Sequence, residues 1–94
     1  MVSDPVFRNG AYSVDLYPIE TEEQYKRIVE IICDELSGEI IEALDGPGFD
    51  FTKIRLDGEE IKIAYSAIEG VYAEGNEKPL LSVKIFVENL LSDD

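Results

Sequence analysis

The strongest constraint on folding is a pair of alternating runs, "FDFTKIRL" and "EEIKIAYS", set on either side of Asp57-Gly58. Asp-Gly tolerates successive positive-φ residues, so it is a strong hairpin-turn dipeptide. Side chains alternate faces along a strand, and register can therefore be argued from parity. Ile54 and Leu56 share a face with Ile61, Ile63 and Tyr65 only if the loop is even: Asp57-Gly58 alone, or Asp57 to Glu60. Phe49 and Phe51 have the other parity. They call for a bulge near Thr52 or for aromatic packing on the second face.

Other elements follow from the same logic. Residues 1–9 show no periodicity and carry Pro5, so they read as a loose lead-in whose Val6 and Phe7 tuck onto the domain. In "AYSVDLYP", Tyr12, Val14 and Leu16 alternate with polar neighbours, giving a half-buried strand ended by Pro18. Thr21 and Gln24 make a capping-box pattern, with Glu22 and Glu23 in the first turn. Tyr25, Ile28, Val29, Ile32, Cys33 and Leu36 then form one apolar helical stripe. That stripe could continue through Ile40, Ala43 and Leu44. A helix over 22–44 would be about 34 Å long, as wide as a domain of this size. Gly is also favoured just past a helix end. The spacing therefore predicts a stop near Ser37, a strand over "EIIEAL" and a turn at "DGPG". "GVYAE" (70–74) predicts a further strand. Asn76 is a candidate N-cap for a helix over "EKPLLSVKIFVENLL", with Pro79 in its first turn. A strand competes there, because Val83, Ile85 and Val87 alternate. "SDD" (92–94) reads as a frayed tail.

The sum is β-α-β-β-β-β-α in a single domain, 1–94. It is an α+β two-layer sandwich, with a mostly antiparallel sheet of four to five strands and two helices on one face. An apolar content of 45% is ordinary for a globular chain.

Charge narrows the function. The chain has 21 acids, 8 bases and a net charge of −13. That speeds encounter with positive partners and opposes direct binding to nucleic acid or an anionic membrane. No apolar run approaches the length of a bilayer span, no basic-plus-apolar leader is present, and the lone Cys33 allows no internal disulfide. A cytoplasmic location is expected. Cys33 lies on the apolar stripe and reads as a small buried hydrophobe.

Chemistry is sparse. There is no histidine, so there is no His general base, no His metal ligand, and no Ser/His or Cys/His pair. Zinc sets, Gly-rich phosphate loops and EF-hand loops are absent. No cofactor is expected and no metal ligand is assigned. Paired carboxylates leave glycosidase-type work or Mg²⁺ formally open, but a domain this small has little interior for a deep pocket. The chain is therefore not expected to be an enzyme.

One feature points to a partner. From Ile28 to Thr52 there are seven carboxylates and no Lys or Arg. Asp34, Glu35, Glu39, Glu42 and Asp45 form a candidate docking patch for a basic protein, with Tyr17 and Tyr72 as candidate contact anchors. Tyr12, Tyr25 and Tyr65 read as core. In size and charge only, the chain resembles the immunity proteins that bacteria keep against nuclease toxins. That resemblance implies an inhibitor that covers a basic active site. The alternative is a small structural or regulatory subunit that self-associates, as a homodimer, through a sheet edge or its exposed tyrosines. If the acids steer a partner, replacing Asp34, Glu35, Glu39 and Glu42 with Asn or Gln slows association and flattens its salt dependence without unfolding the domain. Stopped-flow kinetics at two salt concentrations checks this, and unchanged kinetics with an identified partner refutes it.

Overall fold

The computed structural model describes residues 5–8 and 10–92. Eight elements follow one another: β1 Val6–Arg8, β2 Ala11–Asp15, α1 Glu22–Glu35, β3 Glu39–Gly46, β4 Phe49–Leu56, β5 Glu59–Ser66, β6 Gly70–Gly75 and α2 Glu77–Leu91. All strands pair antiparallel, in the order β1-β2-β6-β5-β4-β3. The fold is α+β, with six strands rather than four to five. The extra strand is β1, inside the stretch read as a loose lead-in. It pairs Phe7 opposite Tyr12, and their rings meet edge-on at 5.1 Å. A three-residue strand is too short to show periodicity, which is why the sequence hides it. The rest of the lead-in (1–4 and 9) and the tail residues 93–94 lie outside the described residues.

The β4–β5 hairpin turns on Asp57-Gly58 alone, with φ of 52° and 80°, and Leu56 faces Glu59. The even loop sets Ile54 opposite Ile61 and Thr52 opposite Ile63. Ile54, Ile61 and Ile63 therefore point to one face. Val14, Leu16, Val71 and Ala73 share it, and Tyr25, Ile28, Val29 and Ile32 of α1 and Leu80, Val83 and Val87 of α2 complete a single core. α1 packs chiefly on β5 and β6, and α2 on β2, β5 and β6. The two-layer description fits only roughly, because β3 lies beyond the helices and its residues stay exposed as far as Asp45.

Both helices obey their terminal signals in part. The capping box forms in full: Thr21 Oγ1 accepts from the Gln24 N–H at 3.1 Å, and Gln24 Oε1 accepts from the Thr21 N–H at 3.2 Å. α1 ends as expected before Ser37. A continuous helix of about 34 Å would exceed the longest extent of the molecule, 32 Å. The residue with positive φ is Ser37 (56°), not Gly38. Gly38 donates its N–H to the Cys33 carbonyl at 3.1 Å, the long bond of a Schellman-type end. Gly38 is required for another reason: a Cβ there would lie 2.7 Å from Ile54 Cγ2 and 2.9 Å from Leu56 Cδ2.

α2 is a helix, and the apparent alternation of Val83, Ile85 and Val87 dissolves because Ile85 faces solvent. Asn76 occupies the N-cap position but makes no side-chain cap. The third helical residue is Pro79, which has no N–H to offer, and the Asn76 amide donates instead to Glu59 Oε1 at 3.0 Å. Neither helix is long and apolar enough to cross a membrane.

Two opposite outcomes follow at the α1 terminus. Ser37→Gly relieves an unfavourable backbone region and is expected to stabilise by about 0.5–1 kcal/mol. Gly38→Ala drives a methyl into Ile54 and Leu56 and is expected to cost about 1–3 kcal/mol. Urea unfolding midpoints at constant slope measure both.

Candidate functional site

β3 is the outermost strand, eight residues long and exposed on both faces. It carries Ile40, Ile41 and Leu44, which are 55%, 41% and 50% exposed. Long apolar edge strands are natural pairing surfaces, and proteins usually blunt them. Here three acids (Glu39, Glu42, Asp45) and a bulge interrupt the edge. The bulge lies between Ile40 and Glu42, not in β4 near Thr52. β4 runs in unbroken register with β5, so Phe49 and Phe51 take the second option and sit on the face away from the helices.

The bulge shifts the parity of everything after it. Ile40 lies opposite Ile54, on the core face. Beyond Ile41 the frame moves by one. Glu42 then lies opposite Lys53, Leu44 opposite Phe51 and Asp45 opposite Asp50. Without the extra residue, Asp45 would point to the other side of the sheet.

That other side carries no helix among the described residues. Leu44, Phe51, Ala64 and Tyr72 line up across four strands, each opposite the next. The next row is Glu42, Lys53, Lys62 and Glu74. Its ends pair: Lys53 with Glu42 at 3.6 Å, and Lys62 with Glu74 at 3.1 Å. Arg55 reaches Glu39 at 3.2 Å, and the Lys62 ammonium lies 5.6 Å from the Phe51 ring centre. Ala64 is fully buried within this face. The uncovered face is thus an aromatic row fenced by ion pairs. Tyr72 is half-buried there, and burial followed by the charges of Glu74 and Glu69 pushes its phenol up.

The docking residues expected from the sequence are spread over several parts of the fold. Asp34 and Glu35 are exposed in the last turn of α1, against the helix dipole, with no base in that turn. Glu39 follows at the start of β3, and Glu42 stands mid-strand; both are already ion-paired. Asp45 sits at the far end of β3, about 20 Å from Glu39 at strand rise, and on the opposite face of the sheet from Glu42. Tyr17 is 60% exposed just past the end of β2. β2 lies four strand spacings from β3, or about 19 Å, so Tyr17 stands apart from the acids. Tyr72 is on the uncovered face. Cys33 is half-buried against the core, with its thiol pushed up by burial and then by Asp34.

Asp45 instead joins a grouping the sequence did not reveal. One carboxylate oxygen each from Glu22, Asp45 and Asp50 lies within 4.8 Å of the others. Asp50 is 1% exposed. Its Oδ1 accepts the Gly46 N–H at 3.0 Å, and its Oδ2 has no partner. Among the described residues, these three bring carboxylate oxygens close enough together to hold a metal. Nearby, the Tyr25 hydroxyl and Thr52 Oγ1 are 2.7 Å apart. Burial raises the Tyr25 phenol above its ordinary 10.0; the Thr52 bond opposes this, while Asp50 and Asp45 add to it. The first two residues of this grouping, Glu22 and Asp45, are far apart in sequence, and no spacing signal joins them. A shallow groove of about 290 Å³ between the helices is lined by Ile19, Gln24, Arg27, Ile28, Ile31 and Leu90, with no acid or nucleophile.

No protein-family model matches the chain, and neither the curated proteins nor the solved structures contain a significant match.

Tyr25 yields a pH prediction. Its folded-state pKa is raised, so its contribution is complete below pH 10.0, the ordinary value, and is lost as pH rises through the folded value. Thermal melts should fall above about pH 10. Tyr25→Phe should flatten part of that fall and cost about 1 kcal/mol at neutral pH through the lost Thr52 bond.

Proposed function

We propose that this chain is a small acidic protein-binding module whose contact element is β3 together with the adjoining end of α1. The observation that carries this reading is the strand itself: an eight-residue sheet edge, exposed on both faces, with three large aliphatic side chains set among acids. A partner that supplies a strand would satisfy the free backbone groups and cover Ile40, Ile41 and Leu44. Charge selects the partner. β3 contains three acids and no base, in a chain of net charge −13. Asp34 and Glu35 add carboxylates at a helix end that disfavours them. A basic protein is complementary to that surface.

The specific form we favour is an immunity-type inhibitor: the module covers the basic active site of a nuclease-like toxin by steric and electrostatic blockade. Binding alone does the work, so the proposal is non-enzymatic. Self-association through the same edge is the second reading, favoured by the exposed aliphatics. Like-charge repulsion opposes it, because two copies would bring β3 acids face to face.

Light scattering after size exclusion, at about 50 and about 500 mM salt, separates the two. The expected outcome is a monomer at both, and a complex with an identified basic partner that weakens at high salt. Leu44→Lys and Ile41→Lys should abolish that complex while the melting temperature holds, since both residues are exposed. A salt-insensitive dimer that Leu44→Lys dissociates would overturn the inhibitor reading in favour of self-pairing.

A further inference from the structure

We infer that Glu22, Asp45 and Asp50 form a binding site for a hard divalent cation of calcium size. Each residue comes from a different element: the first residue of α1, the end of β3 and the start of β4. Exposed acids often gather without a ligand, and Glu22 and Asp45 alone would carry nothing. Asp50 is different. It is 1% exposed, and one of its oxygens has no partner. A buried carboxylate needs a donor or a cation at each oxygen. The Gly46 N–H serves Oδ1. Asp45, directly across the β3–β4 ladder, and Glu22 each bring a carboxylate oxygen within 4.8 Å of an Asp50 oxygen, which adds negative charge rather than a donor. Among the described residues, the ion pairs join Lys53 to Glu42, Arg55 to Glu39, Lys62 to Glu74 and Lys84 to Glu88, and none reaches this cluster.

A cation supplies what is missing. Oxygens bound to one Ca²⁺ at about 2.3–2.6 Å lie at most about 5 Å apart, whereas Mg²⁺ at about 2.0–2.1 Å requires about 4 Å or less. Oxygens that all lie within 4.8 Å of one another are close enough to share one ion of calcium size without rearrangement. Hard oxygen donors and the absence of any sulfur or nitrogen ligand point the same way. Glu22 and Asp45 are exposed, so water completes the shell. Three carboxylates with a largely aqueous remainder place the affinity at about 10⁻⁴–10⁻³ M.

The test uses the whole chain, stripped with chelator and titrated with CaCl₂ in calorimetry and thermal melts. Calcium should raise the melting temperature, and Mg²⁺ should do so less. Asp45→Asn and Glu22→Gln, both outside the core, should weaken binding by about tenfold or more. Asp50→Asn should melt at or above the parent without calcium, since it removes an uncompensated buried charge, and should not respond when calcium is added. Terbium offers an independent readout. Tyr25 feels the charges of Asp50 and Asp45 and should sensitise terbium emission. Tyr25→Phe should dim it while the calcium-induced shift persists. No shift up to about 10 mM calcium would overturn the site. So would a shift that survives in both Asp45→Asn and Glu22→Gln, which would place the ion elsewhere on the acidic surface.

Discussion

The two-residue turn at Asp57-Gly58 is the constraint on which the rest depends. It fixes the parity of β4 against β5, and so decides which side of the sheet is apolar. With Ile54 opposite Ile61, the helices have one face to cover, and both contribute to a single core. The same parity sends Phe49 and Phe51 to the other face. There they are partly protected by neighbours in the sheet rather than by a helix. A one-residue change in that loop would set Ile54 and Leu56 on the opposite face from Ile61 and Ile63, leaving one of these two pairs outside the core.

The bulge at Ile41 is the second decision. A regular β3 would carry its alternation straight from Ile40 to Asp45. The inserted residue splits the strand into two frames. In the first, Glu39 meets Arg55; in the second, Glu42 meets Lys53. Both acids thereby reach bases that belong to β4. These exposed pairs add little stability, but they lower the net charge of the uncovered face. The extra residue also sets Asp45 opposite Asp50, whose buried Oδ2 has no partner among the described residues.

Much of the fold was legible because its signals are local. Thr21 with Gln24 marks one end of α1, and the Ser37-Gly38 break marks the other. Asp57-Gly58 marks the hairpin, and the isoleucines around it report their own faces. The missed features depend on contacts remote in sequence. β1 is too short for periodicity and exists because β2 offers an edge. Gly38 looks like a backbone requirement but is held to glycine by Ile54 and Leu56, sixteen and eighteen positions on. Asn76 fits a cap by type and fails because Pro79 removes the donor. The acidic run was legible as charge but not as a surface. Its members scatter between two faces and two ends of β3, because a strand alternates, bulges and spans about 20 Å. The carboxylate grouping had no signal at all, since Glu22 meets Asp45 only through the packing of α1.

β3 links the two proposals, and their coupling has a definite sign structure. A divalent ion at Asp45 would cancel two negative charges near one end of the strand. That weakens long-range attraction of a basic partner, and the effect fades over a Debye length of about 8 Å at physiological salt. The same ion would tie the β3–β4 turn to the start of α1. A stiffer edge loses less freedom when a partner pairs with it, which favours binding and is insensitive to salt. The two contributions oppose one another at low ionic strength. At high ionic strength only the stiffening remains, so calcium would act for the partner in concentrated salt. By linkage the partner would change calcium affinity by the same factor. A strand edge and a turn that share one bulge are thus not independent surfaces, and charge alone does not determine how either one behaves.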